Sequence, residues 1–316
     1  SSAVHHSASR CSGAMTAEVA PPGATSPALR PADGLEPGGA AVEEAAGGAG
    51  CGASAAGPAR CGRARAALDF LGGLALSEGA REAARAAEQG LRFQCALCGR
   101  TTQLYCSRCL WTALPLPPPL RLGVNVLVLR HPKESVAKSS AAALPLLAPA
   151  ELQVREWPGV PPGEAVAGLG PGAWLVFPRE DAVDAADVDW SSVSQLVLIE
   201  SRWKHAGAVA ADEALASLPA MRFRGGLRSC FWRSVTEKLD GMDGLVSTAE
   251  CLHHVLRLRA TSLGGGALGD AERLDDLLLL HALRLRLIVE DYANDPRRCC
   301  PWCTEAERRR LVHEGN

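Results

Sequence analysis

The chain has 316 residues and a net charge of −2, with 33 basic residues balanced by 35 acids. This length has room for two domains, and the charge balance excludes a global electrostatic pull toward nucleic acid. No uninterrupted apolar run reaches about 18 residues, so the sequence holds no membrane-spanning helix.

Residues 1–66 are dominated by Ala, Gly, Pro and Ser. Stretches such as Pro37-Gly38-Gly39-Ala40-Ala41 carry too little bulky apolar surface to offset chain entropy, so a disordered tail is expected. Cys11, Cys51 and Cys61 fall within it at no metal spacing. The chain begins at Ser1, and Met15 is a candidate start. The first 17 residues hold no acid and one Arg, in the manner of an organelle transit peptide, but Glu18, Asp33, Glu36, Glu43 and Glu44 count against a long one. With no secretory signal, the expected location is nucleus or cytoplasm.

Residues 67–119 are expected to form a helix and a small metal module. Ser77 to Gln89 reads as a helix capped by Ser77 and stopped by Gly90. Cys95, Cys98, Cys106 and Cys109 then form C-x2-C-x7-C-x2-C, the most specific chemical pattern in the chain. Two such knuckles bring four thiolates to one tetrahedral point, which suits a structural Zn²⁺. The alternatives are reduced, unmetallated thiols or disulfides, and cysteines this close do not easily close an unstrained bridge. A proline cluster at 115–119 follows as a stiff connector.

The main domain is expected over residues 120–292, with 293–316 as a C-terminal tail. Leu122 to Leu129, Ala173 to Phe177 and Gln195 to Ile199 are continuous rather than alternating apolar runs, the habit of strands covered on both faces. With helices expected at Ala206 to Ser217, Ser247 to Leu256 and Asp270 to Tyr292, the fold class is α/β with a parallel sheet. Ligands of such sheets gather beyond the carboxyl ends of the strands.

The first strand ends in Arg130-His131-Pro132-Lys133-Glu134, where a His-Pro pair is more often a turn than a catalytic dyad, and Lys138-Ser139-Ser140 beyond suit capping of the helix that follows. Pro178-Arg179-Glu180-Asp181 reads as strand punctuation. Glu200-Ser201-Arg202-Trp203-Lys204 places a carboxylate directly after a buried run, where it either faces a site or pairs with Arg202 or Lys204. Ser247-Thr248-Ala249-Glu250 fits a capping box, and such a helix start can also seat an anionic group. Arg222, Arg224, Arg228 and Arg233 surround Phe223, Phe231 and Trp232, and Arg308 to Arg310 form a second basic run. They suit either phosphate contact or an ordinary solvated edge. Cys299, Cys300 and Cys303 form a second metal site only if ligands such as His253, His254 or His281 join them.

Taken together, the paired cysteines, His131-Pro132-Lys133-Glu134, Leu-Val-Phe-Pro at 175–178, Leu-Ile-Glu-Ser-Arg-Trp at 198–203, Ser-Cys-Phe-Trp-Arg at 229–233 and Ser-Thr-Ala-Glu at 247–250 resemble the DTW-domain family. These are tRNA-uridine aminocarboxypropyltransferases related to the SPOUT class, and the likeness covers roughly residues 66–292. The resemblance implies a SPOUT-like knotted parallel sheet with flanking helices. It also implies transfer of the 3-amino-3-carboxypropyl group of S-adenosylmethionine, the donor substrate, to N3 of a uridine in tRNA, the partner. By this resemblance Glu200 and Trp203 are the catalytic residues. His131, Pro178, Ser201, Ser247, Thr248 and Glu250 bind the donor, and Cys95, Cys98, Cys106 and Cys109 hold zinc.

Two departures bear on activity. The family signature Asp-x-Thr-Trp is Glu200-Ser201-Arg202-Trp203 here, and Arg202 is expected to hold the carboxylate ionised, favouring binding over proton abstraction. Arg179 replaces the family's Gly after the strand-terminal proline and is expected to crowd the donor. The alternatives are a tRNA-binding paralogue with impaired catalysis and a SPOUT-type RNA methyltransferase.

Overall fold

The two central strands of the main sheet show why its apolar runs are continuous. A computed structural model of the chain describes residues 69, 72–89, 92–157, 169–225, 227, 229, 246–264 and 269–294. The expected tail over 1–66, Phe231, Trp232, Arg308 to Arg310 and the cysteines from Cys299 to Cys303 lie outside them.

Strands β3 (Asn125–Arg130), β4 (Leu152–Glu156), β5 (Ala173–Val176), β6 (Val183–Asp184), β7 (Gln195–Glu200) and β8 (Ala220–Arg222) form one sheet in the order β4-β3-β7-β5-β8-β6. Every pairing in it is parallel. Side chains alternate across a strand, and Val126, Val128, Leu196 and Leu198 enter one core while Leu127, Leu129, Val197 and Leu175 enter another. Each face has its own helical cover, so both sets are buried.

The smaller core is closed by Val209, Ala210 and Leu215 from helices α3 (Trp203–Ala210) and α4 (Glu213–Ala216). The expected single helix over 206–217 is thus two. Asp212 breaks it, because its carboxylate accepts from the Ala214 amide and caps α4. The larger core is closed by helix α5 (Thr248–Ser262), a 3₁₀ segment (Ala271–Leu278) and helix α6 (Leu279–Asn294). The helix expected over 270–292 therefore begins with a tighter 3₁₀ stretch, and α5 runs past Leu256 to Ser262.

Helix α1 (Glu78–Gln89) puts Ala80, Ala83 and Ala87 into that same larger core. This i, i+3, i+7 stripe of small residues permits close packing. Two acids of the 3₁₀ segment fix the approach to α1: Ala75 N–H donates to Asp275 at 2.7 Å, and Ser77 donates from its amide and hydroxyl to Asp276 at 2.9 and 2.7 Å. Strands β1 (Arg92–Gln94) and β2 (Thr101–Gln103) pair as an antiparallel hairpin that carries the first cysteine pair. Helix α2 (Leu144–Leu147) lies between β3 and β4. No helix among the described residues is long and apolar enough to cross a membrane.

Candidate active site and metal centre

Register sets the site. Arg130 pairs with Glu200 at the carboxyl ends of β3 and β7, and the ladder continues as His131 N–H donates to the Glu200 carbonyl at 2.9 Å. On the other side Val176 pairs with Leu198, so two residues on Pro178 is level with Glu200. The loops after β3, β5 and β7 thus leave the same edge.

Glu200 is only 5% exposed. Its Oε1 accepts from the Ser140 amide at 3.0 Å, and its Oε2 from the Ser140 hydroxyl at 3.4 Å. Ser140 Oγ also accepts from the Ala249 amide, at 3.4 Å, in the first turn of α5, and the Thr248 hydroxyl reaches the Ile199 carbonyl at 3.4 Å. The positive end of α5 therefore meets the carboxylate through one serine hydroxyl. Burial pushes the Glu200 carboxyl above its ordinary range, against the opposing pull of Thr248, Ser139 and the Ser140 amide; Glu134, itself buried, adds to the rise.

That outcome corrects the expectation for Arg202. Its side chain is exposed at the cap of α3, and burial rather than a neighbouring cation governs Glu200. A buried carboxyl held this way is a better proton acceptor than an ion-paired one.

Arg179 likewise differs from expectation. Its guanidinium pairs with Asp181 at 2.9 Å and donates to the carbonyls of Leu215, Ala216 and Leu218 at 3.2, 2.9 and 2.8 Å. The side chain caps the end of α4 and so does not crowd the strand-end loop.

The capping box at α5 is complete: Ser247 Oγ accepts from Glu250 N–H at 3.3 Å and Glu250 Oε2 accepts from Ser247 N–H at 2.7 Å. Glu250 is 1% exposed and also accepts from the Ser229 hydroxyl at 2.7 Å. Trp203 opens α3 with 41% of its surface exposed, Pro178 is exposed, and the Ser201 hydroxyl turns to the Arg202 carbonyl at 3.2 Å. The His131 ring stacks on His205, with centroids 5.1 Å apart and planes 8° from parallel.

Sequence reading left Ser139, Ser140 and Glu134 out of the site. Ser139 Oγ accepts from Ala141 and Ala142 N–H at 3.2 and 3.1 Å in a turn ahead of α2, whose start at Ala143 has no side-chain cap, so the capping role expected from the sequence is not seen there; Ser140 turns inward. Nothing in Lys138-Ser139-Ser140 marks which hydroxyl does which.

The four cysteines converge, with all sulfurs of Cys95, Cys98, Cys106 and Cys109 within 4.8 Å of one another. Cys98 Sγ and Cys106 Sγ are 3.7 Å apart, close to the edge of about 3.8 Å that a tetrahedron with Zn–S bonds of about 2.3 Å requires. The donor set fits Zn²⁺. Both knuckles share a backbone: Cys95 N–H donates to the Arg100 carbonyl and Cys106 N–H to that of Trp111, and the residue after each second cysteine is left-handed, Gly99 at φ 68° and Leu110 at φ 48°. Backbone amides of Cys109 and Arg108 bring the Cys106 thiol down to about 7, against the effect of burial.

The module reaches the region of Glu200 through Leu104, buried in the larger core, and Tyr105. Burial raises the Tyr105 phenol, Arg284 opposes the rise, and Glu200 adds to it.

Two other sequence candidates resolve differently. Arg224 pairs with Asp184 and Asp187 at 2.9 and 2.7 Å, an ordinary edge ion pair. His253 bonds Asp275 at 2.7 Å within the packing of α5 on the 3₁₀ segment, and burial holds its pKa down. Among the described residues the four cysteines are the one group of three or more side chains placed to hold a metal ion.

Residues 92–284 match the DTW domain. The chain is 25% identical over 222 residues to tRNA-uridine aminocarboxypropyltransferase 1 of Mus musculus, covering 56% of this chain and 71% of that one. It is 23% identical to the protein of the same name from Rattus norvegicus, with the same coverage. Among solved structures it is similar to the SAM-dependent rRNA:acp-transferase Tsr3 from Vulcanisaeta distributa, at 17% identity and a TM-score of 0.35, covering 61% of this chain and 98% of that one.

Proposed function

Because this chain belongs to the DTW domain family, we propose that it moves the 3-amino-3-carboxypropyl group of S-adenosylmethionine to N3 of a tRNA uridine. The mouse and rat tRNA-uridine aminocarboxypropyltransferases 1 that it resembles support the reaction class. The observation that carries the reading is the buried Glu200 carboxylate where the β3 loop, the end of β7 and the start of α5 converge.

In this reading uracil N3 attacks the terminal carbon of the aminocarboxypropyl chain. The new N–C bond forms as that carbon's bond to the sulfonium breaks, and the electron pair leaves on sulfur, giving neutral methylthioadenosine. The N3 proton must depart, and Glu200 is the acceptor, its basicity raised by burial. Placement decides which of the three carbons on sulfur reacts. Trp203 offers an exposed ring face for the uracil or the sulfonium.

Ser247, Thr248 and Glu250 at the start of α5, with His131, Pro178 and Ser201 at the strand ends, hold the donor. Cys95, Cys98, Cys106 and Cys109 hold a structural Zn²⁺, which supplies folding energy to the module and no chemistry at Glu200. The organisation follows as a metal module on a catalytic domain over 120–292, active in nucleus or cytoplasm.

Incubating tRNA with the protein and S-adenosylmethionine, then weighing the released nucleosides, tests the reading. A uridine heavier by one aminocarboxypropyl group is the expected product. A methyl group added instead, or donor binding without any product, refutes it.

A further inference from the structure

The rim above Glu200 collects cations that no acid among the described residues neutralises. Lys133, Arg202 and Lys204 are exposed and, among the described residues, make no ion pair. Elsewhere the arginines at 130, 179, 224, 257, 273 and 286 are each paired with an acid. The nearby acids are turned to other work: Glu134 and Glu200 are buried, and Asp212 caps α4 and accepts from Trp157 Nε1 at 3.3 Å.

Four rings stand among these cations. His205 stacks on His131, which in turn lies 5.8 Å from Trp157 at a tilt of 31°. The exposed Trp203 sits between Arg202 and Lys204. That the cations form one group is supported by their joint effect on His205, whose pKa is lowered first by burial and then by Lys204, His131, Lys133 and Arg202. Clustering like charges beside an imidazole opposes folding in the free chain, and a polyanion relieves it.

We propose that this rim is the RNA-docking surface of the enzyme: Lys133, Arg202 and Lys204 take backbone phosphates while the rings of His205 and Trp203 take an unstacked base. The inference rests on the transfer reading above and adds to it the surface that presents the uridine. An RNA loop fits because it offers phosphates and free base faces together, the combination of cation and aromatic that single strands require. The surface continues into the reaction centre, since His131 bonds the Glu200 main chain and Arg202 and Trp203 follow Glu200 in sequence.

The test compares the wild-type chain with Lys133→Ala/Lys204→Ala, using transfer RNA binding by anisotropy across salt from about 50 to 200 mM and S-adenosylmethionine binding by calorimetry. Thermal melting checks that both fold alike. The expected result is tRNA affinity weaker by about tenfold or more, a salt slope smaller by about 1.4, and donor affinity within about twofold of wild type. Unchanged tRNA affinity and slope overturn the proposal, including the case in which an acidic protein is the true occupant. If the wild-type chain produces no aminocarboxypropyl uridine, the transfer reading fails separately, and the loss of salt slope still decides whether the rim binds RNA.

Discussion

Glu200→Gln separates what the carboxylate costs the fold from what it gives the reaction. The substitution keeps shape and the bond from the Ser140 amide to Oε1, and lets the new amide donate to Ser140 Oγ where the carboxylate had accepted. It exchanges charged hydrogen bonds for neutral ones, a loss of about 1 kcal/mol each, and removes the desolvation of a buried charge, which is several kcal/mol. The net expectation at pH 8 is a variant more stable by about 1 to 2 kcal/mol, or roughly 2 to 8 °C in Tm for a domain of this size.

The pH dependence fixes the sign. A carboxyl whose folded pKa is raised gives its full stability below the unfolded value of 4.5 and loses it as pH rises through the folded value. The advantage of the variant should thus be absent at pH 4, grow as pH rises and level off above the raised pKa. Its transfer rate should fall by about 10²- to 10⁴-fold above the raised pKa if Glu200 accepts the N3 proton, and the gap should narrow toward acid as the wild-type carboxylate itself protonates. Thermal melts from pH 4 to 8, paired with nucleoside mass analysis, read both. A variant that melts below wild type at pH 8, or whose advantage grows toward acid, would refute burial as the cause of the raised pKa.

Arg179→Ala should cost about 1 to 3 kcal/mol, because three carbonyls at the end of α4 lose a charged donor, yet leave S-adenosylmethionine affinity unchanged. Tighter donor binding on titration would show that Arg179 does crowd the pocket. Gly99→Ala and Leu110→Gly should shift stability in opposite directions by about 1 kcal/mol, since both positions are left-handed and the new Cβ at Gly99 meets no atom within 4 Å. Denaturant titrations of the zinc-loaded protein check this, and equal signs defeat the pseudo-symmetric reading of the knuckles. Elemental analysis should find about one Zn²⁺ per chain, and its removal by a chelator should lower Tm because Leu104 ties the module to the larger core. A melt unaffected by chelation argues that the thiols carry the module without metal.

Local chemistry sufficed for the central strands and for the four-cysteine set. Three continuous apolar runs pointed to a covered parallel sheet, and the cysteine spacing marked the four residues whose sulfurs converge, because both signals reside in neighbours along the chain. The short strands β4, β6 and β8 escaped notice, since two to five residues at a sheet margin leave too brief a pattern. What depended on tertiary structure was which polar group faces which. Arg202 is two residues from Glu200 yet points to solvent, while Ser140, sixty residues away, holds the carboxylate. Arg179 stands where a glycine was expected but spends its charge on α4. A side chain's direction follows from the packing of strands and helices distant in sequence, and the raised pKa of Glu200 follows from the burial that this packing creates.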